Sequence, residues 1–215
     1  MTVSVVDGLG QILKAGLEGL ARAADVVAKG GIICFPTDTV YGVGCNPLNV
    51  SAIQKTMKAK GERTKPMPVL VHGLDDAKKI AYVSDRARRL ADKFWPGPLT
   101  LVLEARDVLP SILAPQQKVG VRSPNHPICL DLLGLCAGRL VGTSANHTGH
   151  PAAMSARHVL EELGEQVDVV LDGGRPPLGL ASTVIDLTSP RLTILREGPV
   201  GRTELLRCLR KRESR

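Results

Sequence analysis

Apolar and polar positions along the chain change period several times, and each change predicts an element. Ile12, Leu13, Leu17, Leu20, Ala24 and Val27 recur at helical spacing, so the first 29 residues predict an amphipathic helix, closed by Gly30-Gly31. Ile32–Phe35 is a short unbroken apolar run and predicts a buried strand. Helical spacing returns over 50–59, 75–82, 85–94, 128–135 and 156–163, with Ser84 placed to cap the third of these. Short strand-like runs fall at 69–71, 99–103, 119–122, 140–143 and 167–171. Two more, 184–187 and 192–195, flank Ser189-Pro190 and predict an antiparallel pair. A last helix begins near Thr203. Strands alternate with helices and a hairpin comes late, so the pattern predicts an α/β fold: one domain built on a mixed parallel and antiparallel sheet.

At 215 residues the chain is long enough for one sizeable core. No apolar run approaches the ~18 residues of a membrane span, and Asp7 interrupts the N-terminus, which does not read as a signal peptide. A cytoplasmic location without membrane contact is expected. The five cysteines are odd in number and show no C-x-x-C spacing, which points away from a zinc site or a disulfide framework. Cys34 reads as a small buried hydrophobe. Of the net charge of +7, residues 202–215 carry +4 and the body +3. Such a tail is compatible with a nucleic-acid partner, though solvated charge on a terminal helix is the plainer explanation. With two Phe, two Tyr and one Trp, the chain lacks the rings of a single-strand stacking platform.

Candidate chemistry concentrates after the first strand. Pro36 ends it, and Thr37, Asp38, Thr39 and Tyr41 follow, before a Gly-rich turn at Gly42–Gly44. Hydroxyls and a carboxylate clustered at a strand end are how open α/β sheets present ligand groups. The plainer alternative is a polar turn in which the threonines bond their own backbone. Arg122 ends a short apolar strand, where a guanidinium needs a structural carboxylate or an anionic ligand. Arg196 ends another apolar run with Glu197 beside it, which also suits a salt bridge. Lys60 and Arg63 sit in a Gly-containing loop able to clamp phosphate, or to form a solvated basic face. Asp172 and Asp186 stand at strand ends, where turn formation is the plainer role. No Walker loop and no complete dinucleotide fingerprint is present. Ser144 lacks the elbow of a serine nucleophile.

Seven segments, in order, resemble the YrdC/Sua5 family: P-T-D-T-V-Y-G-V-G; Lys60 and Arg63 ahead of K-P-M-P-V-L-V-H; F-W-P-G-P-L-T; V-G-V-R-S-P; G-T-S-A-N; S-T-V-I-D; and L-R-E-G. The resemblance runs from the first helix to Gly198. It implies a twisted open sheet around a basic cavity, and an enzyme that makes L-threonylcarbamoyladenylate from L-threonine, bicarbonate and ATP for the t6A modification of tRNA. By motif match, Thr37, Thr39, Tyr41, His72, Arg122 and Ser182 line the threonine and bicarbonate side. Lys60, Arg63, Ser144, Asn146 and Arg196 line the ATP side. Arg63, Arg122 and Thr39 are the expected catalytic groups.

Every reacting partner in that chemistry is anionic. Fixed cations, and Mg²⁺ arriving with ATP, must offset the repulsion; no protein-held metal is expected. Other expected partners are the t6A transferase that accepts the product and, as an open question, tRNA or double-stranded RNA. The expected organisation is a YrdC-like catalytic domain over 1–200 and a basic helix or tail over 201–215, without the second domain of longer Sua5 members. One departure is the spacing Lys60-Gly61-Glu62-Arg63, a residue longer than the family's usual K-x-R. Two rival readings fit the same residues: an RNA-binding module without catalysis, and a paralogue that adenylates another carbamoyl or carboxyl compound.

Overall fold

The computed structural model describes residues 11–61 and 66–210. Its strands are β1 (Gln11–Lys14), β2 (Ile33–Phe35), β3 (Gly42–Gly44), β4 (Val69–Val71), β5 (Leu99–Glu104), β6 (Lys118–Arg122), β7 (Arg139–Val141), β8 (Thr143–Ser144), β9 (Val169–Asp172), β10 (Thr183–Asp186) and β11 (Thr193–Arg196). The helices are α1 (Leu17–Ala28), α2 (Val50–Ala59), α3 (Leu74–Ile80), α4 (Asp85–Phe94), α5 (Pro127–Leu135), α6 (Ala156–Leu163) and α7 (Arg202–Arg210). Short 3₁₀ turns stand at Pro115–Gln117 and Gly164–Gln166.

Local signals place most boundaries. Asn49 starts α2 by accepting from the Ala52 amide at 3.0 Å. Ser84 does the same for α4 through the Ala87 amide at 3.3 Å, and Ser155 for α6 through the His158 amide at 3.1 Å. Gly30, at φ +80°, ends α1 in the left-handed region that glycine enters freely.

Three expectations change. Ile12 and Leu13 belong to a strand rather than the first helix, because β1 pairs in parallel with β9, Ile12 opposite Val170 and Leu13 opposite Leu171. Gly42–Gly44 is a strand, not a turn, paired antiparallel with β2. The single strand expected over 140–143 is two. β7 pairs with β4 and β8 with β3, with Gly142 between them.

That break at Gly142 is also where the fold divides. Hydrogen bonding gives two mixed sheets, ordered β1-β9-β2-β3-β8 and β11-β10-β5-β6-β4-β7. Where they meet, the backbones nearly touch: a Cβ on Gly44 would stand 1.7 Å from the Val141 carbonyl oxygen. Both sheets contribute to one core, with Cys34, Tyr41 and Val43 from the first and Val69, Leu101 and Val121 from the second. A second core, Leu20, Val27, Phe35, Leu132 and Leu171 among it, fills the space under α1 and α5. At the C-terminal side α7 packs on α4, with Leu205 fully buried.

Candidate active site

Strand direction explains why residues scattered over 160 positions meet. In the second sheet β4 and β6 are parallel, with Leu70 opposite Arg122, so His72 and Arg122 leave the sheet on one side. Strand β5 runs against β6 and begins on that side, with Thr100 as its second residue. Strand β10 is parallel to β5, which brings Ser182 there, and antiparallel β11 ends there at Arg196. The first sheet repeats the arrangement. β2 delivers Thr37 to Thr39, β3 begins after Tyr41, and β8 ends at Ser144, opposite Gly42.

Arg122 is the centre of the cluster and is only 6% exposed. Its Nε donates to the Gly97 carbonyl at 3.0 Å, Nη1 to Thr39 Oγ1 at 2.9 Å, and Nη2 to Asp38 Oδ1 in a buried ion pair. The sequence left open whether this arginine answers a structural carboxylate or a ligand; the structure supplies the carboxylate. Burial pulls the Arg122 pKa below the usual guanidinium value, and the Asp38 charge pushes it back.

The two threonines of this segment bond differently. Thr37 Oγ1 donates to the Val40 carbonyl at 2.7 Å and accepts from the Thr39 and Val40 amides, so it bonds its own turn. Thr39 Oγ1 lies 3.0 Å from Thr37 Oγ1. Each hydroxyl has one proton, and Thr37 has spent its own on Val40. Donation therefore runs from Arg122 to Thr39 to Thr37 to the Val40 carbonyl. Tyr41 is fully buried, and its hydroxyl donates to the Gly174 carbonyl at 2.9 Å. Desolvation pushes this phenol up to about 12. Tyr41 thus supports the Gly173-Gly174 turn, in which Asp172 Oδ1 accepts from the Gly174 amide. Asp186 likewise serves a turn, accepting from Thr188.

On the neighbouring strands, Arg196 donates through Nη2 to Ser182 Oγ at 3.0 Å and through Nε to the Ser182 carbonyl at 2.9 Å. Ser182 Oγ also lies 2.8 Å from Thr100 Oγ1. Among the described residues Arg196 has no carboxylate partner, Glu197 included. Burial lowers its pKa, and the like charge of Arg122 lowers it further. Two guanidinium groups therefore stand within electrostatic reach, with one carboxylate, Asp38, paired to Arg122 and hydroxyls bonded to both. An anion is the group this arrangement favours.

Lys60 differs from its expected place in a loop. It ends α2, is 1% exposed, and donates through Nζ to the carbonyls of Ser144 at 2.5 Å and Asn146 at 2.7 Å. Asn146 turns its amide onto the carbonyls of His147 and His150 and keeps Oδ1 buried without a partner. The lysine thereby shapes the Ser144–Asn146 segment. His72 exposes its ring and accepts at its backbone carbonyl from Ser123 Oγ at 3.0 Å. Arg63 lies outside the described residues, as do residues 211–215 of the basic tail.

The five cysteines are free, and burial raises the Cys34, Cys45, Cys129 and Cys136 thiols, Cys45 and Cys136 to about 11. That keeps them protonated and unreactive near neutrality. A cleft of about 450 Å³ elsewhere, lined by Lys78, Tyr82, Arg88 and Arg106 among others, includes none of the site residues.

The chain is similar to known proteins in both sequence and fold. The family model for Sua5, YciO and YrdC proteins, described as "Telomere recombination", matches residues 25–198. The chain belongs to the Sua5/YciO/YrdC family. Threonylcarbamoyl-AMP synthase of Pyrococcus abyssi is 37% identical over 187 residues, covering 85% of this chain and 55% of that protein. Sua5 of P. abyssi in complex with L-threonine superposes with a TM-score of 0.85 at 35% identity, over 88% of this chain and 57% of the other. E. coli YciO superposes with a TM-score of 0.83 at 26% identity, over 89% and 97%. The chain spans about half the length of the P. abyssi proteins it matches. Within this family fold, sequence reasoning passed over three participants. Asp38 stands in the strand-end cluster of P-T-D-T, but its pairing with Arg122 has no sequence signal; Thr100 closes the F-W-P-G-P-L-T segment; His126 follows V-R-S-P by two residues.

Proposed function

We propose that this chain is an L-threonylcarbamoyladenylate synthase, a nucleotidyltransferase of the cytoplasm acting on L-threonine, bicarbonate and ATP. The observation that carries the proposal is the pairing of Arg122–Thr39 with Arg196–Ser182 at one strand end, with positive charge in excess of the single carboxylate Asp38. The P. abyssi relative that was solved with L-threonine shares this fold over most of the chain.

In this reading Arg122, His72 and Ser182 hold threonine, and Thr39 faces the reacting end. Thr37 and Tyr41 act through the shape of their turns. The threonine amine loses a proton and bonds to the carbon of CO₂ derived from bicarbonate. The resulting carbamate oxygen attacks the α-phosphorus of ATP, and pyrophosphate leaves. Arg196, Ser144, Asn146, Lys60 and Arg63 form the ATP side, with Arg63 and Arg122 neutralising charge as it develops. Positioning and charge neutralisation account for the rate; no side-chain nucleophile is required. Among the described residues no three His, Cys, Asp or Glu side chains group as metal ligands. In this reading Mg²⁺ arrives with the nucleotide. Residues 1–200 form the catalytic unit, and the labile product passes to the t6A transferase.

Pyrophosphate release, measured with each of the three substrates omitted in turn, tests the proposal. Release that needs all three supports it. Release indifferent to threonine, or none at all, overturns it and favours the RNA-binding or paralogue reading.

A further inference from the structure

Two buried polar atoms, one on the carboxylate that pairs with Arg122 and one on the ring of His126, which follows Arg122 in the chain, have no hydrogen-bond partner, and they are complementary. Asp38 gives Oδ1 to the guanidinium, while its Oδ2 is buried and unbonded. His126 is 8% exposed, and its Nδ1 is buried and unbonded too. The Asp38 charge acts on the His126 ring, so the two groups lie within electrostatic reach. The short segment from Arg122 to His126 is held at both ends. Ser123 Oγ donates to the His72 carbonyl at 3.0 Å, and the His126 carbonyl accepts from the Leu130 amide in the first turn of α5 at 2.9 Å.

An unsatisfied buried polar atom costs about 1–3 kcal/mol. A carboxylate oxygen and an imidazole nitrogen, both left over and within electrostatic reach, can supply the two halves of a single hydrogen bond. Bonds of this kind in enzymes tighten when substrate fills the site. We propose that His126 is a positioning residue for Arg122: it carries its ring proton on Nδ1 and donates it to Asp38 Oδ2 as the threonine site closes. His126, Asp38 and Arg122 then form one hydrogen-bonded chain, which fixes the guanidinium that receives the anion. The identity of that anion rests on the synthase reading; the protonated nitrogen does not.

Two substitutions in the full chain separate the ring nitrogens. His126→Asn places an N–H near the position of Nδ1, and His126→Gln reaches toward that of Nε2. The KM for L-threonine should stay within about threefold of wild type in H126N and rise roughly tenfold in H126Q and H126A, with the KM for ATP unchanged. Equal losses in H126N and H126Q, or parallel changes in both KM values, overturn the proposal. A ¹⁵N spectrum of the histidine rings in the wild-type protein gives a readout independent of turnover and of variant folding. Protonation of His126 at Nδ1 supports the proposal, and protonation at Nε2 overturns it. Wild-type protein without threonine-dependent turnover overturns the synthase reading instead, and the ring spectrum then decides the role of His126 alone.

Discussion

At the scale of single residues, the Arg122–Asp38 pair dominates because both partners are nearly solvent-free, at 7% and 4% side-chain exposure. Removing one partner leaves the other charge buried. Arg122→Ala should therefore abolish turnover and also destabilise the fold by about 3–5 kcal/mol, read as a fall in the denaturant midpoint. Arg122→Lys should rescue little activity, because one ammonium cannot hold Gly97, Thr39 and Asp38 in their three directions. His126 adds a pH dependence. Burial lowers its pKa, with the Asp38 charge opposing in part, so the folded state favours the neutral ring and the unfolded chain binds the proton first. Its contribution to stability is then complete above the ordinary histidine value of about 6.5 and is lost as pH falls below it. Denaturant titrations from pH 7.5 to pH 5 should show a shallower acid slope in His126→Asn than in the wild type. The sequence made Arg122 legible as a guanidinium in need of a partner. It gave no sign of which carboxylate would answer, because Asp38 and Arg122 are 84 positions apart and meet only through the strand ends.

Elements were legible where local chemistry sets them. The boundaries of α2, α4 and α6 follow from Asn49, Ser84 and Ser155, whose side chains satisfy amides that the first helical turn leaves open. Asn49→Ala should cost about 1 kcal/mol for that reason, measurable by chemical denaturation. Elements were misread where a distant partner decides the period. Ile12 and Leu13 continue a helical spacing on paper, yet pairing with Val170 and Leu171 draws them into a strand. Gly42–Gly44 reads as a turn because glycine is rare in strands. The missing side chain at Gly44 is what lets β3 pass the Val141 backbone. Gly44→Ala should destabilise by at least about 1–3 kcal/mol, since its Cβ meets backbone rather than a movable side chain. Gly134, on the exposed side of α5 with nothing within 4 Å of a Cβ, should behave oppositely. Gly134→Ala should stabilise by about 0.5–1 kcal/mol in the same assay.

For the whole molecule the consequence is architectural: two sheets meet at Gly44 and Val141, and the site forms where their strand ends face one another. None of the described helices is long and apolar enough to cross a membrane. The sequence by itself determined the α/β class, the positions of most helices and strands, and, through seven ordered segments, the family. Those features rest on nearest-neighbour chemistry: period, caps, and breaks at Gly and Pro. Only the tertiary structure decided that the strands divide between two sheets, that Lys60 is a buried brace rather than a loop cation, and that Asp38, Thr100 and His126 join the site. Each of those outcomes depends on pairing between strands far apart in the chain. Parallel and antiparallel ladders form with similar backbone bonds, and the choice between them follows from how the complete core closes rather than from any local run of residues.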